Sequence, residues 1–366
     1  MSYFRGGQRF REGRFSGFAP GVYIPVYIPG ALRGYKAVFY DPTDKKLGEL
    51  GSDIRESIIN SIEFELCEFG CGGFRFRATE KLPFEITYRT RVDLFPYFSS
   101  DPWYTGFVME LPKKTTQKTP WEYAGYGYFE QLDWVLVTKS YTNTNLSAII
   151  SDIVETIVAP ATHIKYNASK IAATTYTVDS ISFDHTPAKE ALATLVGFVA
   201  GYDYGVDAVR EFYFQAKTAA VTAWLWAGHH FQDFELDEDV NSLQNRLYVK
   251  QGEIVSGSNY VGSVEDAASI AAYGLRESII TVPEVLGSAD ALVWAQTELA
   301  QLKDPKKRGS VRQIFLDDLR TPLNADGKIL ITDNEGIEYE LPIRKAKYEI
   351  SAQGIFANLE LESGIL

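Results

Sequence analysis

The sequence predicts a β-rich α+β protein in which two β-barrel domains are separated by small inserted α+β domains. Aromatic residues make up 14% of the chain, and most are Tyr and Phe, which favour strands and protein interfaces. Short runs of alternating apolar and polar residues, bounded by glycine-containing turns, dominate residues 36–140 and 306–366. Helical spacing of apolar residues occurs between these two regions. A length of 366 residues allows several such domains.

The charge is unevenly distributed along the chain. The formal net charge is −12, but residues 1–36 carry six basic residues and one acidic residue, a net of +5, which leaves −12 − 5 = −17 for the rest. An acidic body should repel nucleic acid over most of its surface. The N-terminus lacks the apolar run of a signal peptide, and no stretch approaches the ~18 apolar residues of a membrane span. We therefore expect a soluble protein made in a cytoplasm, without membrane insertion.

Residues 1–35 are predicted to form a basic aromatic N-terminal arm. Pro20, Pro25 and Pro29 exclude a helix, and the aromatic residues have no periodic face to bury. The arm could be a disordered leader, a segment that binds single-stranded nucleic acid, or a segment that docks on a neighbouring protein. The apolar YIPVYIP stretch favours docking in a protein groove. The candidate docking residues are Phe4, Arg5, Arg9, Phe10, Arg11, Arg14 and Phe15.

Residues 36–140 are predicted to form the first β-barrel domain. Its clearest element is a hairpin over 62–66 and 74–77, with apolar residues on one face and glutamates and arginines on the other. If the register pairs them, these glutamates and arginines should form cross-strand ion pairs. The turn contains Cys67 and Cys71, which lack the further ligands of a metal site and which we interpret as small turn residues. Further strands are predicted over 84–88, 105–111, 121–128 and 132–137.

Residues 141–220 are predicted to form an inserted α+β domain. Apolar residues at helical spacing from Leu146 to Ile157 predict a helix that Asn145 caps and Pro160 ends. A second helix should begin at Thr186-Pro187 and end near Gly201, followed by a strand over 211–215.

Residues 221–250 and 306–366 are predicted to form the second β-barrel domain, interrupted by a loop plus helix over 251–305. The helix should begin at Ser288 and end before Asp304-Pro305. The strands over 329–331 and 337–341, and then 348–350 and 356–361, should form hairpins. The segment GYFEQL at 127–132 is similar to GIFANL at 354–359, which is consistent with two related β-domains.

No catalytic, metal-binding or cofactor-binding motif is present in the sequence. The acidic cluster Glu235, Asp237, Glu238 and Asp239 lacks the spacing of a calcium loop. It could be a solvated turn, or it could line a channel that nucleic acid passes without binding. The carboxylates Glu110, Glu122 and Glu130 lie near tryptophans in the sequence, so a carbohydrate-binding or glycoside-cleaving β protein is an alternative.

The ordered set of segments resembles the hub proteins of phage tail tips and baseplates, which are related to the N-terminal hub part of type VI secretion spikes. The segments that carry the resemblance are IEFELCEFGCGGFRFR, PWYTGFV, WEYAGYGYFEQL, YTNTNLSAIISDIV, TPAKEALATLV, NRLYVKQGE, LKDP and YEISAQGIFANLELE. They extend over about residues 36–366. The N-terminal arm has no counterpart in this resemblance.

The resemblance implies a structural, non-enzymatic virion protein at the tail tip, made in the bacterial host cytoplasm and without a cofactor. Two tail-tube-like β-barrel domains per subunit would let a homotrimer form a ring that matches a sixfold tail tube. The implied partners are a distal tail or tail-tube protein, the tape-measure protein and a central fibre or spike, with DNA crossing the lumen at ejection. Because the chain stops at Leu366, just after the last predicted strand, we expect the fibre or spike to be a separate protein. An equivalent hub of a contractile injection system or gene-transfer particle is a further alternative.

Overall fold

The computed structural model describes residues 34–362, apart from 54–56, 97–98, 114–120, 219, 232, 253–258, 283–285, 287, 316–321, 324–326 and 352–353. The candidate docking residues of the arm, Phe4 to Phe15, lie outside the described residues. Gly34 and Tyr35, which the sequence assigned to the arm, belong to the first strand, and the Tyr35 side chain is buried.

The first half of the chain is a β-sheet that contains the predicted hairpin. Its strands are β1 (Gly34–Tyr40), β2 (Lys46–Asp53), β3 (Ile59–Cys67), β4 (Gly70–Ala78), β5 (Arg91–Pro96), β6 (Tyr104–Glu110) and β7 (Trp121–Gly127), paired in the order β3-β4-β7-β6-β5-β1-β2. The alternating apolar residues of β3 and β4 are buried, as expected for a strand pair with one face on the core. Cys67 and Cys71 flank the hairpin turn as free thiols.

Two predicted strands of this half are wrong. Residues 128–134 form a 3-10 helix, Tyr128–Trp134, whose Tyr128, Phe129 and Leu132 are buried together. An alternating apolar pattern over a few residues also fits one turn of a buried helix, so the pattern could not distinguish this helix from the predicted strand over 132–137. Residues 84–88 are an irregular segment in which Phe84 packs on the ring of Phe39, with centroids 5.0 Å apart.

The first insert contains β8 (Leu136–Asn145), α1 (Leu146–Ile153), β9 (Thr177–Pro187), α2 (Ala188–Val196), β10 (Tyr202–Val206) and β11 (Phe212–Ala216). The predicted cap of α1 is confirmed, because the Asn145 side chain accepts a hydrogen bond from the backbone N–H of Ser147 at 3.0 Å. A π-helical turn, Val154–Val158, and a last turn, Ala159–Ala161, extend α1. β9 continues to Pro187, so α2 begins one residue later than predicted, and it ends at Val196, before Gly201.

The next segment contains β12 (Val221–Trp226), β13 (Asp233–Asp239), β14 (Arg246–Gln251), β15 (Tyr260–Glu265), α3 (Ala267–Tyr273), β16 (Glu277–Val282) and α4 (Ser288–Leu302). The start of α4 at Ser288 is as predicted. Residues 260–273, which the sequence predicted as a loop, form β15 and α3. The small residues of this stretch gave little apolar periodicity, and the strand is stabilised by pairing with β14 in the sheet β15-β14-β16.

The last strands are β17 (Lys306–Phe315), β18 (Lys328–Thr332), β19 (Glu338–Ser351) and β20 (Gly354–Glu362). Both predicted hairpins, β18–β19 and β19–β20, are confirmed. The similarity between residues 127–132 and 354–359 does not mark equivalent elements. The first segment leads from β7 into the 3-10 helix, whereas the second begins β20.

Antiparallel pairing of β3 with β19 joins the two β-rich halves into one sheet. Its main path runs β13-β17-β20-β19-β3-β4-β7-β6-β5-β1-β2. The predicted β-rich α+β class is confirmed. Within the described residues, this path begins at β13 and ends at β2, so strand pairing along it does not close either half into a barrel. One apolar core underlies both halves and includes Phe64, Phe76, Val311, Tyr348 and Leu359.

A second apolar core joins the two inserts, which were predicted from the sequence as separate units. It contains Ile150 of α1, Leu192 of α2, Val249 of β14 and Ala295 of α4. Asp290 of α4 is buried and accepts hydrogen bonds from the Tyr176 hydroxyl and from the backbone N–H of Asp179 at 3.1 Å. The two inserts therefore pack as a single body beside the joined sheet.

Candidate interaction surfaces

The face of the sheet opposite the core carries ion pairs that cross the junction between the halves. Lys347 of β19 lies 2.9 Å from Glu63 of β3, and Lys345 lies 3.0 Å from Glu65. These are diagonal neighbours, and Glu63 faces Glu349 directly in the register, so the lysines also separate like charges. The junction is thus polar on one face and apolar on the other.

The arginines of the β3–β4 hairpin do not pair with the hairpin's own glutamates, contrary to the prediction. Arg77 and Arg75 contact Glu122 of β7, at 2.8 and 3.4 Å. The sheet extends beyond the hairpin on both sides, and each charged residue finds its partner on the outer neighbouring strand. Each of these half-exposed ion pairs contributes less than about 1 kcal/mol to the free energy of unfolding. Their main effect is therefore to give this face of the sheet a charged surface.

The acidic cluster predicted from the sequence lies on a strand and not in a turn. Glu235, Asp237, Glu238 and Asp239 belong to β13, which starts the main path of the sheet. The register places Asp237, Glu238 and Asp239 opposite the basic run Lys306–Arg308 of β17. A hydrogen bond of 2.8 Å from the backbone N–H of Asn241 lowers the pKa of Asp239. The cluster is therefore an acidic strip beside a basic one at this end of the sheet.

A buried carboxylate holds the ends of three strands together beside this strip. Glu362 of β20 is 5% exposed and lies 2.7 Å from Arg344 of β19 and 3.3 Å from Arg308 of β17. Lys306 is 3.8 Å away. A carboxylate removed from water requires such partners, because an unpaired buried charge is costly.

A second charged cluster connects the first β-half to the insert. Asp44, in the β1–β2 turn, accepts two hydrogen bonds from the guanidinium of Arg210, at 3.1 and 3.0 Å, and one from Arg91 at 2.5 Å. Burial opposes ionisation of Asp44, but the hydrogen bond and charge of Arg210, with the charge of Arg91, lower its pKa overall. Burial raises the pKa of the neighbouring Asp93. This cluster fixes the insert against the sheet.

The carboxylates considered for glycoside cleavage are placed on separate elements. Glu122 is engaged by two arginines, Glu130 lies on the 3-10 helix 3.4 Å from Lys189, and Glu110 is exposed at the end of β6. In the part of the chain that the structure describes, no group of three or more His, Cys, Asp or Glu side chains could hold a metal ion.

A crevice of about 410 Å³ lies between the β3–β4 turn and the insert. Cys71, Trp103, Lys170, Asp207 and Tyr213 are among the residues that line it. Lys170 is already bound to Asp207 and Glu211, and burial raises the pKa of the Cys71 thiol to about 12. A protonated, fully buried thiol is a poor nucleophile or metal ligand, so this crevice offers no reactive group from Cys71.

Across the described residues, no helix has the length and apolarity needed to cross a membrane. Apart from the carboxylates and the crevice considered above, the described surface carries the charged face of the joined sheet, the acidic strip of β13 and a set of exposed aromatic side chains near the 3-10 helix.

The fold is that of phage tail proteins. A 43 kDa tail protein of prophage MuSo2 from Shewanella oneidensis superposes with a TM-score of 0.63 at 15% identity, covering 89% of this chain and 98% of that chain. A tail protein from Neisseria meningitidis MC58 gives a TM-score of 0.63 at 12% identity, covering 91% and 98%. An Escherichia coli type VI secretion component, described as structurally similar to T4 tail proteins, gives 0.50 at 8% identity, covering 83% and 72%.

The resemblance to the tail-hub group that the sequence motifs indicated is confirmed at the level of the fold. The sequence itself matches no protein-family model and no curated protein. The Shewanella and Neisseria structures that share the fold are both described as tail proteins.

Proposed function

We propose that this chain is a structural virion protein that forms a trimeric hub ring at the tail tip. The ring joins the tail tube or distal tail ring to the central fibre or spike and lets DNA pass at ejection. The observation that carries the proposal is the β3–β19 pairing, which makes two β-rich halves one continuous sheet in a fold shared with prophage tail proteins. Each half is proposed to be a tail-tube-like domain, so three subunits would present six such units to a sixfold tube.

The two faces of the sheet support this role. One face covers the core shared by both halves, and the other carries the ion pairs across β19, β3, β4 and β7. Residues 34–366 carry a net charge of −16, because the arm at 1–33 contributes +4 to the total of −12. A polar, predominantly acidic channel wall would repel the phosphate backbone and let DNA pass without binding.

We propose no enzymatic activity. The carboxylates that a glycosidase would need are engaged by cations or lie on separate elements, as described above. The proposed partners are a distal tail or tail-tube protein, the tape-measure protein and a fibre or spike. The chain would be made in the bacterial host cytoplasm and then incorporated into the tail tip.

The test is the mass and symmetry of the full-length protein in solution. Light scattering should give three times the chain mass of 41.0 kDa, and electron microscopy down the axis should show a ring with an open centre. A stable monomer that binds oligosaccharides would instead support the carbohydrate-binding alternative.

A second candidate is the equivalent hub of a contractile injection system or gene-transfer particle. The similarity of the fold to the Escherichia coli secretion component, with a TM-score of 0.50, supports a secretion hub as this second candidate. A tape-measure gene immediately upstream would support a phage or phage-like tail over a secretion device.

A further inference from the structure

An exposed apolar patch lies where the 3-10 helix leaves the sheet. Trp134 is 45% exposed and Leu136 is 50% exposed, although both are large apolar residues. The remaining exposed members are on adjacent segments: Tyr88, Met109 and Tyr126. Exposed apolar residues scattered singly need no explanation, but a contiguous set marks an interaction site.

Side-chain contacts and strand register connect Trp134, Tyr126 and Arg89 around the buried ring of Phe107. The Trp134 ring packs edge-on against Phe107, with centroids 5.4 Å apart. Tyr126 is the cross-strand partner of Phe107, so these two side chains share one face of the sheet. The guanidinium of Arg89 lies 5.6 Å from the centre of the Trp134 ring, and the Arg89 backbone N–H donates to Val108 at 2.7 Å. Trp, Tyr and Arg together form the composition typical of interface hot spots.

The chain itself contains a segment suited to this patch. Residues 22–25 and 26–29 are a tandem repeat of Val-Tyr-Ile-Pro, preceded by Pro20. Proline-spaced segments dock on aromatic-lined surfaces with little loss of conformational entropy, because proline already restricts the backbone. The repeat lies within 14 residues of Gly34, where β1 begins. We propose that the Val-Tyr-Ile-Pro repeat of one copy docks on the Trp134 patch of a neighbouring copy.

The direction of β1 favours a neighbouring copy over the same copy. Tyr35 at the start of β1 pairs with Pro96, whereas Tyr40 at its end pairs with Arg91. Arg91 is also the partner of Phe107, so the patch lies at the far end of β1 from the arm. The end of β1 to which the arm is attached, Gly34, is thus the end farther from the patch of the same copy. A contact between the arm of one copy and the patch of the next is heterologous, and such contacts form a ring when the rotation between subunits closes, as the proposed trimer requires.

This inference rests on the proposed ring and adds the contact that links its subunits. A photo-crosslinking amino acid at position 136 of the full-length protein tests it. On irradiation, denaturing gels should show covalent dimers and trimers, and mass spectrometry should map the crosslink to residues 20–29. The double variant Y23A/Y27A should lower the yield at least tenfold. The crosslinker at Ile337, which is 48% exposed on the β18–β19 turn, is the matched control and should not capture the arm.

The outcomes separate this inference from the ring itself, because the mass in solution is measured on the same sample. A trimer that crosslinks at position 136 only within one chain, or to a segment other than residues 20–29, overturns the inference and leaves the ring intact. A monomer overturns both. Unchanged crosslinking in Y23A/Y27A would also overturn the inference.

Discussion

Phe64 of β3 and Tyr348 of β19 stack with ring centroids 4.8 Å apart and planes inclined by 10°, directly beneath the pairing that joins the two halves. Both side chains are almost completely buried. The Tyr348 hydroxyl also accepts a hydrogen bond from the backbone N–H of Leu323 at 2.6 Å and donates to its carbonyl at 3.1 Å. The junction is therefore held by apolar contact on the core side and by the lysine–glutamate pairs on the other.

Replacement of Phe64 by alanine should lower the free energy of unfolding by about 3–5 kcal/mol, because it leaves a cavity at the junction. Tyr348→Phe should cost about 1–3 kcal/mol, since it leaves the backbone groups of Leu323 without their partner. Urea unfolding of both variants measures these losses. Glu360→Ala, at an exposed position of β20, is the control and should stay within about 0.5 kcal/mol of the wild type. A small loss in Phe64→Ala would contradict the shared core.

The arm boundary can be tested with two truncations that differ by two residues. Deletion of residues 1–33 should leave the unfolding free energy unchanged, while weakening contacts with a neighbouring subunit. Deletion of residues 1–35 also removes Tyr35, which is 1% exposed and whose hydroxyl lies 2.5 Å from that of Ser57. The longer deletion should cost about 3 kcal/mol more. Equal stability of the two truncated proteins would show that β1 does not depend on Tyr35.

The cluster around Asp44 should make stability depend on pH in the acid range. Its pKa is lower in the folded state than the unfolded value of about 3.9, so its contribution is complete above that value and is lost as pH falls toward the folded pKa. Asp44→Asn should cost about 1–2 kcal/mol at neutral pH, because it weakens the partner of the nearly buried Arg210. Below about pH 4, the difference between variant and wild type should shrink.

Unfolding free energies of the wild type and Asp44→Asn at several pH values between about 3 and 6 measure this effect. Asp93 acts in the opposite sense, because its pKa is raised by burial, and it is present in both proteins. A constant difference across the range would exclude a contribution from the ionisation of Asp44.

The two inserts should lose their common packing when Asp290 is removed. Asp290→Ala leaves the Tyr176 hydroxyl and the backbone N–H groups of Asp179 and Ser180 without their buried acceptor, which should cost about 3 kcal/mol. Tyr176→Phe should cost less, since the carboxylate keeps its backbone donors. Urea unfolding and limited proteolysis are the measurements. Gln296→Ala, at an exposed site of α4, is the control.

Charge reversal on β13 tests whether the acidic strip faces a channel. The variant E235K/D237K should fold normally, because both side chains are exposed, but its assembled ring should bind duplex DNA at about 0.1 M salt and release it at higher salt. The matched control is the double variant E298K/D304K, in which one site lies on α4 and the other just after it. It reverses the same number of charges as E235K/D237K, and its ring should not bind DNA. The strip would not line the channel if both double variants behaved like the wild type.

Local patterns in the sequence were sufficient for the elements whose partners are near in the chain. The β3–β4 hairpin, the Asn145 cap of α1, the start of α4 and the two C-terminal hairpins all follow from short-range alternation, spacing and turn residues. The same patterns failed at 84–88 and 132–137, where a few apolar residues suit a loop or a helical turn as well as a strand. They also failed at 260–273, where β14 stabilises a strand with weak apolar character of its own.

By itself, the sequence determined a β-rich chain with an acidic body, a basic aromatic arm and the order of segments typical of tail hubs. Only the tertiary structure decided that β3 pairs with β19, that the two inserts share one core, and that Glu63 forms its ion pair with Lys347 of β19, although Arg75 lies directly opposite it on β4. The physical reason is that strand pairing depends on backbone groups common to all residues, so the alternation of a strand defines its buried face but not its neighbour. The partner is selected by packing across the whole core, as Phe64 and Tyr348 show.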